Sequence, residues 1–263
     1  MSQFISRLFG KAPEPPEATT TDGRLVYAIG DVHGRLDVLE PLVAELIRDS
    51  ARSAPKERPL LILLGDYVDR GPSSAGVIEF LLNLADEGHF EVRALKGNHE
   101  EALLGFLDDP SFGQTWMTHG GGETLISYGV QLPTRNEAQA WSDARDALAQ
   151  ALPPRHAQFL QGLELMTVVG DYAFVHAGVR PGAPLDRQTE RDLLWIRYEF
   201  LDSDGPFEKV IVHGHTPNPL PQVTPWRLGI DTGAYATGVL TAVRLDDAGA
   251  RMIQAKARRA IAA

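Results

Sequence analysis

The chain has no cysteine. Disulfides, thiolate metal sites and cysteine nucleophiles are excluded with it. It has no apolar run of membrane-spanning length, because every hydrophobic stretch breaks after a few residues. It has no excess of basic charge either. Lys plus Arg is 25 and Asp plus Glu is 35, a net charge of −10. A broad nucleic-acid surface needs clustered basic residues, so no nucleic-acid partner is expected. A small anion site beside bound cations is still open, since a metal ion dominates its local charge. Met1–Gly10 carries Arg7 within its apolar part and has no small-residue cleavage site after it. It does not read as a signal peptide, and the expected setting is cytoplasmic, away from membranes.

Hydrophobic residues make up 43 % of the 263, enough for a sizeable core. Residues 1–23, with a stretch rich in Pro, Glu and Thr, read as a flexible N-terminal arm. Residues 24–263 read as one domain, ordered from Leu25 onward. Three times an apolar run meets a short loop and then a segment with helical spacing. The runs are Leu25–Ile29, Leu60–Leu64 and Phe90–Leu95, and the helical segments begin at Leu36, Ser73 and Glu101. The spacing of roughly 30–35 residues suits βαβ units and a parallel sheet. Ala51–Pro59 reads as a connection.

Residues 108–162 break this period and read as a helical insertion lying over the edge of the site. Its Gly120-Gly121-Gly122 run reads as a turn needing positive φ rather than a phosphate cradle, because it lacks the Lys-Ser/Thr of a P-loop. The second half is richer in strands. Leu163–Val169 and Tyr172–Val175 form a hairpin around Gly170-Asp171, a helix covers Thr189–Trp195, and Lys209–Val212 is a strand. Gln222–Thr224, Arg227–Asp231 and Gly238–Leu245 read as an antiparallel run.

The ionisable residues gather where the strands end. In open α/β sheets ligands bind at the carboxyl ends of strands. The loops there carry Asp31 and His33, then Asp66, Asp69 and Arg70, then Asn98, His99 and Glu100. His176 and His215 follow later strands. Asp and His without Cys suit Mn²⁺, Fe or Zn²⁺ better than a soft metal. Asp31 and His33, one residue apart in an extended chain, face the same ion. Asp66 is placed to bridge two ions, and Asn98, His176 and His215 complete the second. Such a pair of cations, about 3.5–4 Å apart, clamps a phosphate and activates a water for in-line attack. Arg70 and Arg197 offer forked donors to the other phosphoryl oxygens. His99 is a candidate general acid, oriented by Asp69.

Gly-Asp-Val-His-Gly at 30–34, Gly-Asp-Tyr-Val-Asp-Arg-Gly at 65–71, Gly-Asn-His-Glu at 97–100, His-Ala-Gly at 176–178 and Gly-His at 214–215 resemble the calcineurin-like metallophosphatases. More narrowly they resemble the phosphoprotein phosphatases, among them the small bacterial and phage serine/threonine phosphatases of the lambda type. The likeness spans residues 25–245. It implies a β-sandwich of two mixed sheets flanked by helices, with two divalent cations, usually Mn²⁺ in bacterial members. It assigns Asp31 and His33 to the first ion, Asp66 to both, and Asn98, His176 and His215 to the second. It gives Arg70 and Arg197 the phosphate, His99 the leaving-group proton, and Asp69 the support of His99. The implied reaction is hydrolysis of phosphoserine or phosphothreonine in proteins, with phosphotyrosine as an extension, so the expected partner is a phosphoprotein.

Two other readings compete with it. Symmetrical diadenosine tetraphosphate hydrolases share the scaffold, but they tend to have a neutral residue at the place of Asp69 and Asp at that of Glu100. A non-catalytic metal-bound module fits poorly with so complete a set of reactive groups. Asp231-Thr232-Gly233 looks like an aspartic protease loop, but that chemistry needs two such carboxylates and the chain has one copy. His213 reads as structural, Arg35 as surface, and His89, His119 and His156 as ordinary.

Overall fold

The computed structural model describes residues 20–257, and of the expected arm over residues 1–23 the first nineteen lie outside them. The first sheet has the strand order β10-β9-β1-β2-β3. Its strands are β1 (Val26–Ile29), β2 (Leu60–Leu63), β3 (Glu91–Ala94), β9 (Val239–Asp246) and β10 (Gly249–Lys256). β1, β2 and β3 run parallel, with Val26 opposite Leu60 and Leu60 opposite Glu91. The second sheet has the order β4-β5-β6-β8-β7. It contains β4 (Met166–Val169), β5 (Tyr172–Val175), β6 (Val210–His213), β7 (Gln222–Val223) and β8 (Arg227–Gly229).

Alternation along the strands builds the layers. Successive side chains of a strand point to opposite faces. Val26 and Ala28 of β1, and Leu60 and Ile62 of β2, therefore meet Phe174 and Val212 between the two sheets. Tyr27, Ile29, Leu61 and Leu63 face the other way, into a core with Leu39, Leu42, Leu46 and Leu81. These last come from α1 (Leu36–Ser53) and α2 (Ser74–Glu87), the crossovers of the βαβ units. Burial on both faces explains why β1 and β2 are continuous apolar runs. A third core lies beyond the second sheet, where Val175 and Ile211 pack on Leu193 and Phe200. Those two belong to α8 (Glu190–Trp195) and α9 (Tyr198–Leu201).

The remaining helices are α3 (Asn98–Asp108), α4 (Gly113–Thr118), α5 (Gly121–Ser127), α6 (Ala138–Ala151), α7 (Pro154–Gln161) and α10 (Ala234–Thr237). The α/β sandwich of two mixed sheets flanked by helices matches the sequence expectation, and several details correct it. Order begins before Leu25: the Thr21 side chain is buried and its backbone N–H donates to Asp247 Oδ1, while Thr20 N–H donates to Asp171. α1 runs into the stretch read as a connection and stops at Ala54, whose left-handed backbone closes the helix. The last three strands do not form an antiparallel run. β8 is antiparallel to β7 but parallel to β6, and β9 crosses to pair with β1 in the other sheet. β10, α9 and α10 were not expected.

Candidate active site

The site lies along the carboxyl ends of β1, β2, β5 and β6. Among the described residues seven non-glycine residues have positive φ, and five of them are His33, Asp66, Asp69, Arg70 and His215. That backbone is rare for side chains other than glycine and persists only where the surroundings enforce it. One enforcing group is Glu100. The sequence reading put it in a loop with Asn98 and His99; all three instead form the first turn of α3. The buried Glu100 carboxylate accepts N–H groups from Asp66, Tyr67 and Gly97 at 2.7–2.9 Å, and from Val68 at 3.3 Å. It thereby folds the Asp66 loop around the helix start. Burial, helped by the Asp66 charge, pushes its pKa up to about 7 against those donors. A Glu three residues past Gly97 is a helix-start signal legible in the sequence.

Asp66 stands at the centre and is buried. Its Oδ2 lies 3.4 Å from His33 Nε2, and its Oδ1 lies 3.5 Å from His176 Nε2. Both imidazoles are tied at their other nitrogen to a carbonyl. His33 Nδ1 meets Val68 O at 2.9 Å, and His176 Nδ1 meets Leu64 O at 2.8 Å. A carbonyl only accepts, so Nδ1 holds the proton and Nε2 presents a lone pair. Burial keeps both rings neutral, lowering His33 to about 3. Each oxygen of one carboxylate thus faces an imidazole lone pair, with no proton between them. That is the arrangement of two cation sites sharing one bridging ligand.

Asn98 Oδ1 lies 2.9 Å from His176 Nε2 and 2.8 Å from His215 Nδ1. His215 is pulled down to about 2, by burial first and by His176 next. Two trios of ligand atoms each fall within 4.8 Å of one another: His33, Asp66 and His99, and Asp66, His176 and His215. Asp31, expected in the first group, belongs to neither trio. Its Oδ2 accepts the His215 N–H at 3.0 Å, and its Oδ1 is buried without a donor. A Cβ on Gly214 would sit about 2.0 Å from that oxygen, so only glycine leaves it room. Burial and the charges of Asp231 and Asp66 push the Asp31 carboxyl well up. Asp231, in turn, rises to about 6, chiefly through burial. Three buried carboxyls, an orphaned oxygen and a ring of neutral imidazoles fit divalent cations.

His99 is the exception among the imidazoles. Burial would lower it, but the Asp66 charge and the Asp69 hydrogen bond win and raise it. Its Nδ1 lies 2.7 Å from Asp69 Oδ2. Asp69 is fully buried and also accepts from Trp116 Nε1 at 2.8 Å and Thr124 Oγ1 at 2.6 Å. No motif marks Trp116 or Thr124, and the sequence reading missed both. Arg70 places Nη1 3.2 Å from His33 Nε2 and lies over the Tyr235 ring at 4.5 Å. Arg197 donates from Nε to His215 Nε2 at 3.0 Å.

Gly120 has φ +99 and its carbonyl accepts the Arg70 N–H, while a Cβ on Gly121 would lie 2.3 Å from the Trp116 ring. Gly121 and Gly122 are helical, so the turn reading holds for Gly120 alone.

Arg35 is not a plain surface residue. It donates to Ala234 O at 2.6 Å and pairs with Asp37. His213 is buried against Phe200 away from the ligand groups, and His156 bridges Tyr128 and Glu79.

Two cavities open beside the site. One of about 410 Å³ is lined by His99, Ala102, Phe112, Trp116, His119 and Trp195. The other, of about 780 Å³, adjoins Arg197 and is lined by Arg180, Arg191, Trp195 and Tyr198. Among the described residues no helix is long and apolar enough to cross a membrane.

The calcineurin-like phosphoesterase family matches residues 25–239. An asymmetrical bis(5'-nucleosyl)-tetraphosphatase of Bacillus subtilis is 24 % identical over 241 residues, spanning 83 % of this chain and 90 % of its own. Serine/threonine-protein phosphatase 1 of Salmonella typhimurium is 28 % identical over 229 residues, spanning 84 % of this chain and 92 % of its own. Among solved structures, a candidate diadenosine tetraphosphatase superposes with a TM-score of 0.61 at 21 % identity, over 92 % of this chain and 100 % of its own. A cold-active protein tyrosine phosphatase from Shewanella gives 0.53 at 18 % identity, over 88 % and 80 %. At these identities the structural likeness speaks for the fold alone.

Proposed function

The chain belongs to the calcineurin-like phosphoesterase family, and from that premise we propose that it hydrolyses phosphate monoesters on serine or threonine side chains of proteins. Asp31, His33 and Asp66 would hold one divalent cation, and Asp66, Asn98, His176 and His215 a second, with Mn²⁺ the expected ion. Such a pair polarises phosphoryl oxygens and lowers the pKa of the water that attacks phosphorus. Arg70 and Arg197 take the remaining phosphoryl oxygens through their forked donors. As the bond from phosphorus to the leaving oxygen breaks, that oxygen takes the proton from His99 Nε2. Asp69 accepts at Nδ1, so the ring keeps one orientation and its charge is stabilised while it waits.

The observation that carries the substrate assignment is the Asp69–His99 pair at 2.7 Å. A serine or threonine alkoxide is a poor leaving group and needs a proton as it departs. A nucleoside polyphosphate leaves readily as an anion and needs one much less. A buried, fully hydrogen-bonded support for a proton donor therefore favours the alkyl ester.

A second reading is favoured by the arginine cavity. Arg180, Arg191 and Arg197 line it beside the exposed rings of Trp195 and Tyr198. That suits the remote phosphates and base of a dinucleoside tetraphosphate, the compound named in the Bacillus relative. Asp192 and Glu199 line the same cavity and pair with Arg180, which weakens the case.

The test is chelator-stripped protein given back Mn²⁺, Zn²⁺ or Mg²⁺, with a phosphothreonine peptide, an aryl phosphate and diadenosine tetraphosphate assayed side by side. The expected result is restored turnover of the first two, fastest with Mn²⁺. Turnover of the dinucleotide alone would replace the first reading with the second.

A further inference from the structure

Asp69 is buried completely, and its carboxylate accepts from three side chains. Oδ2 is shared by two, His99 Nδ1 at 2.7 Å and Trp116 Nε1 at 2.8 Å. Oδ1 accepts from Thr124 Oγ1 at 2.6 Å. The Asp69 backbone N–H, in left-handed conformation, points to the same Thr124 hydroxyl at 2.9 Å and to Ser74 Oγ at 3.1 Å. A carboxylate held at both oxygens and at its own N–H has no rotamer to escape to. Two of its holders, Trp116 on α4 and Thr124 on α5, come from the helical insertion, 47 and 55 residues along the chain from Asp69.

Trp116 also borders the 410 Å³ cavity beside His99, and its ring packs on Phe106 of α3 at 4.9 Å between centroids. The helix carrying the proton donor and the helix carrying the indole are thus in direct contact. Any leaving group bonded to a phosphate at the site and in reach of His99 enters a space walled by that indole.

We propose that Trp116 and Thr124 are positioning residues for proton delivery, fixing Asp69 so that His99 presents its Nε2 proton to the leaving oxygen in this cavity. The inference rests on the reading of His99 as the proton donor, and it adds that the insertion sets how well the enzyme handles poor leaving groups. Packing alone predicts something else, since a loosened core slows every substrate by the same factor.

The experiment compares wild type, Trp116→Phe, Thr124→Val and His99→Asn, each loaded with Mn²⁺, on phosphate esters of graded leaving-group basicity. The series runs from dinitrophenyl phosphate through phenyl phosphate to an alkyl phosphate. Trp116→Phe keeps an aromatic ring but loses the five-membered ring with its N–H, and Thr124→Val keeps the shape and loses the hydroxyl. General acid catalysis is worth about 10²–10⁴-fold, so partial misplacement of the donor is expected to lower kcat on the alkyl ester about tenfold more than on the activated ester. KM should move little. His99→Asn should steepen the dependence on leaving group further still. If His99→Asn does not steepen it, the proton-donor reading falls and this inference with it. If His99→Asn steepens it and both other variants do not, the inference alone falls. Equal losses on all esters would assign Trp116 and Thr124 to packing only. Thermal melting checks folding first, and if Trp116→Phe does not fold, Thr124→Val decides.

Discussion

The first sheet brings His33, Asp66, Asp69 and Arg70 to the site on left-handed backbone, whereas in the second sheet only His215 is held that way. His176, by contrast, directly follows β5, its ring tied at Nδ1 to the Leu64 carbonyl and facing Asn98 at Nε2. A non-glycine residue in that conformation costs of order 1–2 kcal/mol, so the first half stores strain and needs something to hold it. Glu100 holds the Asp66 turn of that half, with four N–H groups on one carboxylate. The second half needs only strand ends and tautomers. Of the two rims of one site, one depends on backbone conformation and the other on side-chain orientation, and they should fail differently.

The largest effect should come from Glu100→Gln. Glutamine offers one acceptor oxygen and turns an NH₂ group toward the remaining donors. Unpaired buried N–H groups cost roughly 1–3 kcal/mol each, so stability should fall by about 2–4 kcal/mol in denaturant titration. Asp66 should shift with its loop, cutting turnover of an aryl phosphate about a hundredfold. Wild-type values in both assays would break the claim that this carboxylate holds the strained half.

His176→Ala sharpens the contrast. It removes an imidazole proposed to hold a cation from a relaxed strand end and leaves the backbone alone. The fold should hold, while affinity for one cation, read by calorimetric titration of stripped protein, should drop at least tenfold. Excess Mn²⁺ should restore part of the turnover. If this variant unfolds as readily as Glu100→Gln, the two halves are held alike and the contrast is wrong.

The same contrast explains what was legible in the sequence. Asp31, His33, Asp66, Asn98, His176 and His215 all follow short apolar runs, so a strand pattern alone brings them to one edge. The βαβ half was legible because its helices and strands alternate in sequence order. Pairing in the second half was not: β9 has the pattern of a strand, but nothing local says that it pairs with β1 rather than with β8. β10 escaped because it is half exposed at the sheet edge and carries Arg251, Gln254 and Lys256. Gly121 and Gly122 look like breakers, yet both lie within a helix, and at Gly121 the close approach of Trp116 leaves no room for a Cβ. Trp116 and Thr124 meet Asp69 across separations of 47 and 55 residues, and no spacing rule reaches that far.

The smallest effect lies away from the site and tests whether strain or ordinary packing limits the first half. Asp49 on α1 is buried and gathers Tyr27 Oη at 2.7 Å, Arg251 at 2.6 Å and Arg244 at 3.1 Å, joining the helix to β1, β9 and β10. Burial opposes its charge, but the Tyr27 and arginine partners outweigh burial and hold its pKa below the usual carboxylate range. A carboxyl so depressed adds stability above its unfolded pKa of about 3.9, and that contribution is lost as pH falls through the lower folded value. Asp49→Asn keeps the shape and drops the charge, which should cost about 1–2 kcal/mol at pH 7. The difference between variant and wild type should then shrink on acidification and vanish below both pKa values. Turnover at pH 7 should be unchanged, because nothing in the Asp49 cluster touches the Asp66 loop. A loss of turnover with Asp49→Asn would mean that the sheet edge and the strained loops are one cooperative unit, and Glu100 would then not be the element that holds the site.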